Sequence, residues 1–184
     1  DGIRYRVMRT DAAINHGNSG GGLYNVEGEL IGITNAKSVE DETDNMGYAL
    51  PITQVSYVVE NILDNVKSDV AKNYVSRATL GVTTQIMDSS ASIVNGLLKI
   101  TETLEVAKVE SGSAASQKLG IADVIQTFCL NDGETVTLTR NFQLVDLMLT
   151  VRKGDTVTIG VKRGGQPINV TIKFDKDSYF KTYK

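Results

Sequence analysis

A serine enclosed by glycines is the feature that most constrains how this chain can fold. Residues 17–22 read Gly-Asn-Ser-Gly-Gly-Gly, so that Ser19 lies among four glycines. Because glycine has no Cβ, the backbone can turn sharply at these positions and direct its N–H groups into a cavity. Two such groups beside a nucleophilic hydroxyl form an oxyanion hole, which contributes about 3–4 kcal/mol to transition-state stabilisation. The loop is therefore a candidate site of acyl-transfer chemistry.

The sequence after the loop separates the uses that such a serine can have. Apolar residues on both sides of Glu27-Gly28 predict a β-hairpin over residues 23–36. A phosphate-binding loop would contain a lysine and lead into a helix. The nucleophile elbow of α/β-hydrolases, whose G-x-S-x-G pattern is present at residues 17–21, also leads into a helix and needs a later histidine. The hairpin favours the serine loop of a chymotrypsin-type double barrel, and a tight turn without chemistry is the remaining alternative.

Three motifs in roughly the first 67 residues resemble the HtrA/Deg-type, trypsin-like serine proteases. The segment TDAAINHGNSGG at residues 10–21 resembles the family's serine motif, and GELIGI and GYALPI follow at residues 28–33 and 47–52. Thr53 is the predicted N-cap of a helix, because apolar residues recur behind it at helical spacing from Val55 to Val66. This helix corresponds to the family's closing helix.

The resemblance assigns roles within the glycine loop. Ser19 is the implied nucleophile, and the backbone N–H groups of Gly17 and Ser19, with Asn18 between them, are the implied oxyanion hole. A serine nucleophile needs a base, usually a histidine oriented by an aspartate. The chain has one histidine, His16, three residues before the serine, whereas the family's histidine and aspartate lie well upstream. We therefore expect His16 to be a loop residue, the barrel to be incomplete, and the chain by itself to be inactive.

The same alignment implies the substrate contacts. Ala13, six residues before the serine, corresponds to the base of the specificity pocket in trypsin-like enzymes. Without a carboxylate there, the pocket is expected to select a small aliphatic residue rather than arginine or lysine. Ile33, Thr34 and Asn35 are the implied edge that pairs with the substrate backbone.

The second half of the chain has a different pattern, with many short strands. Two helices are predicted, one at residues 113–118 and one from Phe142 to Val151, and residues 88–92 form a polar insert. Strands are predicted at residues 80–85, 97–103, 104–110, 124–130, 135–139, 156–162 and 168–174.

This half resembles a PDZ domain. The segment TLGV at residues 79–82 resembles the carboxylate-binding loop, and VESGSAA and LGIADVI at residues 109–115 and 119–125 resemble the turns that follow it. The resemblance implies that a peptide C-terminus adds as a strand beside residues 82–85, since backbone N–H groups at a glycine turn can hold a carboxylate. The implied binding residues are Leu80, Gly81, Val82, Leu144 and Met148.

Composition excludes other classes of function. A net charge of −3 gives nucleic-acid binding no general electrostatic support. The single Cys129 excludes an internal disulfide framework, and a single histidine argues against multi-histidine metal sites. Cys129 itself is expected to be a buried small apolar residue. We predict no metal and no cofactor.

Together these patterns predict a mainly β chain with α-helices. Residues 1–70 are expected to form part of a chymotrypsin-type second β-barrel with its closing helix, 71–77 a linker, 78–175 a PDZ-like α+β domain, and 176–184 a tail.

The expected function is that of the C-terminal part of an HtrA-like serine endopeptidase in protein quality control. Unfolded or misfolded proteins are the expected substrates, and peptide C-termini are the expected ligands of the PDZ groove. The alternative is a non-catalytic peptide-binding module with a protease remnant. By resemblance, the full-length protein is expected to form homo-oligomers and to work outside the cytoplasm, membrane-anchored, periplasmic or at the cell surface.

Overall fold

A computed structural model describes residues 6–15, 17–35, 47–68 and 75–183 of the chain. Across these ranges the protein is mainly β with two α-helices, which confirms the predicted fold class. The chain divides into two compact units, Asp1–Lys67 and Ser68–Lys184. The described strands of the first unit form an open sheet rather than a closed barrel.

An antiparallel sheet and one helix make up the first unit. Its elements are β1 (Met8–Thr10), β2 (Gly22–Tyr24), β3 (Leu30–Thr34), β4 (Gly47–Pro51) and α1 (Ile52–Ser68). The strands lie in the order β1-β4-β3-β2. The predicted hairpin is confirmed, since β2 and β3 pair antiparallel. Its turn is closed by Asn25, whose side-chain oxygen accepts the N–H groups of Glu27 and Glu29 at 3.1 and 2.8 Å.

The apolar core of this unit is small. In the described ranges its buried apolar residues are Ile14 and Ala49. Gly47 allows Ile14 to pack onto β4, because a Cβ at position 47 would lie 2.2 Å from the Ile14 Cγ1 atom. Few apolar groups therefore hold this sheet in place.

Helix α1 differs from the prediction at its start. It begins at Ile52, so Thr53 lies inside the helix, where its hydroxyl is 3.4 Å from the guanidinium Nη2 of Arg6. The predicted apolar stripe is present but largely uncovered. Its exposed side chains are Val59, Ile62, Leu63 and Val66, between 41% and 49% accessible.

The second unit is built on a six-stranded antiparallel sheet. Its main strands lie in the order β11-β10-β8-β7-β6, and β9 pairs with β8. The elements are β5 (Val75–Ala78), β6 (Val82–Val94), β7 (Leu97–Val109), β8 (Val124–Leu130), β9 (Thr135–Thr137), α2 (Asn141–Met148), β10 (Thr156–Arg163), β11 (Gln166–Lys173) and β12 (Phe180–Tyr183).

A large core holds this unit together. It contains nineteen buried apolar residues from the sheet, from α2 and from the segments that connect these elements. Phe128, Ile159 and Phe174 are its largest fully buried side chains. Cys129, predicted to be buried, is instead only partly buried, and its Sγ lies 3.4 Å from the Gly133 carbonyl.

Two segments of the second unit differ from the prediction. Residues 97–109 form one long strand, and the polar insert at 88–92 belongs to β6, its partner in a hairpin of thirteen residues per strand. Residues 113–118 form turns rather than a helix.

A small separate sheet joins the two ends of the second unit. Strand β5, which begins inside the predicted linker, pairs antiparallel with β12 in the predicted tail. Tyr179 and Phe180 pack against the core, and both rings meet Phe174 edge-on at centroid distances of 6.0 and 6.3 Å. These segments are thus structured parts of the unit.

Candidate functional site

The serine loop is held by its own backbone. The N–H of Asn18 donates to the Asn15 carbonyl at 3.1 Å, and the N–H of Gly21 donates to the Asn18 carbonyl at 2.9 Å. Gly17 and Gly20 have φ values of +101° and +86°, a region that favours glycine. The backbone conformation of the loop therefore favours glycine at positions 17 and 20, where the sequence has glycine.

Strand β3 anchors the loop. The N–H of Gly20 donates to the Thr34 carbonyl at 2.7 Å, and the N–H of Thr34 donates to the Gly21 carbonyl at 2.9 Å. The buried Thr34 hydroxyl donates to the Asn18 carbonyl and lies 3.1 Å from the Gly21 carbonyl. The sequence patterns did not identify this anchoring role, because it joins residues 13 to 16 positions apart.

Ser19 lies exposed at the surface of this loop. Its hydroxyl donates to the backbone carbonyl of Asn35, at the end of β3. Neither the Gly17 N–H nor the Ser19 N–H donates to another described residue. An exposed serine hydroxyl and two uncommitted backbone donors therefore lie at one point of the loop.

The neighbouring predicted residues lie on the same loop. Ala13 is exposed, and its carbonyl accepts the side-chain amide of Asn18 at 3.0 Å. His16 lies outside the described residues. Asn18 thus connects the segment before the serine with the implied oxyanion backbone.

The structure corrects the implied substrate edge at Ile33 and Thr34. Strand β3 is interior to its sheet, and Ile33 faces Gly22 on one side and Leu50 on the other. A peptide cannot add as a further strand where both sides are already paired. The N–H of Asn35 likewise donates to the Tyr48 carbonyl at 3.0 Å. The error arose because pairing of β3 with β4 is not visible in local sequence.

The loop before β6 is the second candidate site. The Leu80 carbonyl accepts the N–H of Ala115 at 2.9 Å, and the Gly81 carbonyl accepts the N–H of Glu110 at 2.8 Å. All peptide bonds of the described chain are trans, so each N–H points opposite to the carbonyl of the same peptide plane. The N–H groups of Gly81 and Val82 therefore point away from these partners.

Close packing requires glycine in this loop. Gly81 has a φ of +76°, and a Cβ there would lie 2.1 Å from the Ser113 Cβ. Ser113 is held in turn by its hydroxyl, which donates to the Glu110 carbonyl at 2.7 Å. The role of Ser113 was not predicted, because Ser113 and Gly81 are 32 positions apart in sequence and meet only in the folded chain.

The implied peptide-binding side chains lie together. Leu80, Leu144 and Met148 belong to one core and are 4–7% exposed, while Val82 packs against that core partly buried. Strand β6 forms the edge of the described sheet, and α2 lies near it. The structure thus brings together a strand edge, a helix and a loop with outward N–H groups.

An ion pair between the exposed Arg163 and the buried Asp123 carboxylate fixes the turn after residue 119. Arg163 donates to both carboxylate oxygens of Asp123, from Nε at 2.8 Å and Nη2 at 2.7 Å, and Gly120 N–H donates to the same carboxylate at 2.8 Å. These hydrogen bonds lower the pKa of Asp123 below its ordinary value, and those from Arg163 have the largest effect. Burial of the carboxylate opposes the shift. The pair joins β10 to the segment that leads into β8.

The described residues contain neither a metal-ion cluster nor a membrane-spanning helix. No group of three or more histidine, cysteine, aspartate or glutamate side chains is arranged to hold a metal ion there. None of the helices in those ranges has the length and apolar character needed to cross a membrane.

Known proteins match both the sequence and the fold. Residues 2–59 match the family model described as Trypsin. The serine protease Do-like HtrA of Bacillus subtilis is 31% identical over 174 residues, which are 92% of this chain and 37% of that protein. A DegP-like periplasmic serine endoprotease of Chlamydia trachomatis is 32% identical over 166 residues, 90% of this chain and 31% of that protein.

A solved structure adds a match in three dimensions. The HtrA-type protease AlgW with a tripeptide has a TM-score of 0.61 to this chain at 28% identity, over 98% of this chain and 55% of that one. The chain spans 37% and 31% of the two curated relatives, so it matches a part of each. Its serine loop, its trypsin-like segment and these relatives make the chain similar, over nearly its whole length, to a part of the HtrA-type serine proteases.

Proposed function

We propose that this chain supplies the nucleophile loop and a peptide-binding unit of an HtrA-like serine endopeptidase. The observation that carries the proposal is the serine loop, in which an exposed Ser19 hydroxyl adjoins the uncommitted N–H groups of Gly17 and Ser19. The Ser19 oxygen would attack a peptide carbonyl, and its proton would pass to a base and then to the leaving amine. The two N–H groups would stabilise the oxyanion formed in that step.

This chain does not supply a catalytic base at the position that the family's triad requires, well before the serine in sequence. Its one histidine, His16, is three residues from the serine in sequence, too close to match the histidine of a chymotrypsin-type triad. Without a base, a serine hydroxyl attacks peptide bonds very slowly. The 184-residue chain by itself is therefore inactive, and the complete enzyme requires a histidine and an aspartate from elsewhere.

The substrates of the complete enzyme would be unfolded or misfolded proteins. Ala13 offers neither charge nor bulk in the implied specificity pocket, which favours cleavage after small aliphatic residues. Such residues are buried in folded proteins and become accessible on unfolding. This links the implied specificity to protein quality control.

Active-site labelling tests the enzyme function. A fluorophosphonate probe should label the full-length gene product, and Ser19→Ala should abolish the adduct while Ser92→Ala, at an exposed serine of β6, leaves it intact. Absence of a Ser19-dependent adduct would favour the alternative, a peptide-binding module without catalysis. The 184-residue chain should release no detectable peptide from unfolded casein, and turnover abolished by Ser19→Ala would contradict the need for a further base.

We also propose that the second unit binds peptide C-termini as a PDZ domain does. The outward N–H groups of Gly81 and Val82 would hold the terminal carboxylate, and the peptide would pair with the free edge of β6. The last side chain would pack against Leu80, Leu144 and Met148, which lie together in the apolar core of the unit. These contacts favour a terminal aliphatic residue.

A pair of matched peptides tests this binding. The 184-residue chain should bind a pentapeptide ending in valine with a free carboxylate at least tenfold more tightly than the same peptide with an amidated end. Equal affinities, measured by fluorescence anisotropy, would exclude a carboxylate-binding role for the Gly81 loop. Isothermal titration calorimetry with both peptides gives an independent measurement of their dissociation constants.

Location and assembly follow from the family alone. We propose that the full-length protein works outside the cytoplasm, because the Chlamydia trachomatis relative is named as periplasmic. That it forms a homo-oligomer is proposed from the family resemblance. Protease protection of the full-length protein in intact cells, compared with lysed cells, tests the location. Its sedimentation velocity tests the assembly, and a monomer would contradict it.

A further inference from the structure

The hairpin of β6 and β7 continues beyond helix α2. At the N-terminus of α2, the N–H of Asn141 donates to the Glu102 carboxylate at 2.8 Å, and Arg140 forms an ion pair with the same group at 3.2 Å. Glu102 lies on β7 opposite Ser89 of β6. The helix therefore begins near this pair, and we call residues 89–102, which extend away from it, the ribbon. The ribbon ends in a turn at Asn95-Gly96, both with positive φ.

The ribbon has one apolar face and one mostly polar face. Cross-strand pairs Ile93–Leu98 and Ala91–Ile100 alternate with Ser92–Lys99 and Ser90–Thr101. Because side chains alternate along a strand, Leu98 and Ile100 stand on the same face of β7 as the buried Leu104 and Val106. The core-facing surface of the sheet thus continues onto the ribbon, where Ile93 and Leu98 are 77% and 69% exposed.

The edge of β6 extends from the peptide-binding loop to the tip, with a register shift between Ile86 and Asp88. In the described sheet β6 pairs with β7 alone, so its outer edge is free from Val82 to Val94. A peptide held by its C-terminus at Val82 and running antiparallel to β6 reaches Ile93 at about its twelfth residue, at one residue per strand position. Residues 89–94 of β6, which the peptide meets there, carry no charged side chain; the charged residues of the ribbon, Lys99 and Glu102, lie on β7.

We propose that the ribbon extends the peptide groove, so that this unit binds C-terminal segments of about twelve residues as an added strand. Apolar side chains at alternate distal positions of the peptide pack against Ala91 and Ile93 of β6, and Ile100 and Leu98 of β7 support these two side chains on the same face. The inference rests on the proposed binding of peptide C-termini. It makes the preferred ligand a long, extended, apolar C-terminal segment, as an unfolded polypeptide chain provides.

The test compares two peptides on the 184-residue chain. A pentapeptide and a dodecapeptide share their last five residues, and the dodecapeptide carries valine at alternate distal positions. The dodecapeptide should bind at least tenfold more tightly. The double variant I93S/L98S should lose this gain while it binds the pentapeptide as before. The double variant V94S/L97S, which removes the adjacent apolar pair from the opposite face, should keep the gain.

The other outcomes separate the two proposals. If neither peptide binds, the peptide-binding function itself is wrong. If both bind equally, that function stands and the extension by the ribbon is wrong. If sedimentation shows a dimer that I93S/L98S dissociates, and the length gain is absent, the apolar face serves a second copy of the chain and the inference is overturned.

Discussion

Gly81 illustrates how the absence of one side chain shapes a loop. Its φ of +76° and its approach to Ser113 bring the chain before β6 against the turn that follows β7. The carbonyls of Leu80 and Gly81 then find donors in that turn, and the next N–H groups are left pointing outward. The geometry proposed to hold a carboxylate is thus a consequence of packing behind the loop.

Replacing Gly81 by alanine should strongly destabilise the second unit. The left-handed backbone costs about 1–2 kcal/mol for a residue with a Cβ, and the overlap with Ser113 adds to it. We expect Gly81→Ala to lower the free energy of unfolding by about 2–4 kcal/mol in urea titrations followed by circular dichroism. Gly96→Ala is the matched control, because φ is +77° and no atom lies within 4 Å. Equal losses for both variants would show that the contact with Ser113 contributes nothing.

Asp123 should make stability depend on pH in the acid range. Its carboxylate has a lowered pKa in the folded chain because Arg163 and the Gly120 N–H bind the charged form. Its contribution is therefore complete above the unfolded value of about 4 and is lost as the pH falls through the lowered folded value. Asp123→Asn should lower the free energy of unfolding by about 1–3 kcal/mol at pH 7. This difference from the parent chain should become smaller at more acid pH.

Urea unfolding of both proteins at several pH values measures this effect. Asp175→Asn, at an exposed position, is the control and should leave stability unchanged. A loss for Asp123→Asn that stays constant from pH 7 to the acid range would contradict a role for the ionised carboxylate.

Elements with a strong local signal were predicted well. Residues 124–130 form β8 as predicted, and the terminal hairpin of β10 and β11 lies within a residue or two of the predicted strands. In these segments apolar alternation and the glycine turn at 164–165 specify the structure from neighbouring residues alone. The serine loop was found for the same reason, since its glycines and serine are contiguous.

Elements that depend on distant partners were predicted poorly. The polar stretch 88–92 has no strand signal and is ordered by its pairing with β7. Ile33 and Thr34 were assigned to a free edge because the pairing of β3 with β4 joins segments that are not adjacent in sequence. The pairing of β5 with β12 joins residues more than 100 positions apart, which no local pattern can show.

Strand β12 should contribute to stability through Phe180. Its side chain packs on the core and meets Phe174 edge-on, so its removal leaves that ring partly uncovered. We expect Phe180→Ala to lower the free energy of unfolding by about 2 kcal/mol. Lys181→Ala, at the adjacent exposed position of the same strand, should have little effect. If both variants have the same free energy of unfolding as the parent chain, β12 does not contribute to the stability of the core.

The two units should differ in their resistance to opening. In the described ranges, Ile14 and Ala49 are the buried apolar residues of the first unit, whereas the second has nineteen. Since burial of apolar surface is the main favourable term in folding, the first unit should open at lower free energy. Amide hydrogen exchange measured by mass spectrometry should show faster exchange in β3 and β4 than in β8 and β10. Slower exchange in β3 and β4 would mean that contacts outside the small core stabilise the first unit.

The pairing of β5 with β12 has a consequence for protein engineering. Val75 and Tyr183 are directly opposed in this sheet, so their Cα atoms lie only about 5 Å apart. The polypeptide chain therefore enters and leaves the second unit at neighbouring positions. Such a unit can be inserted into a surface loop of an unrelated host with little disturbance at the junction, or circularly permuted by joining these ends and opening the tight turn at Asn95-Gly96.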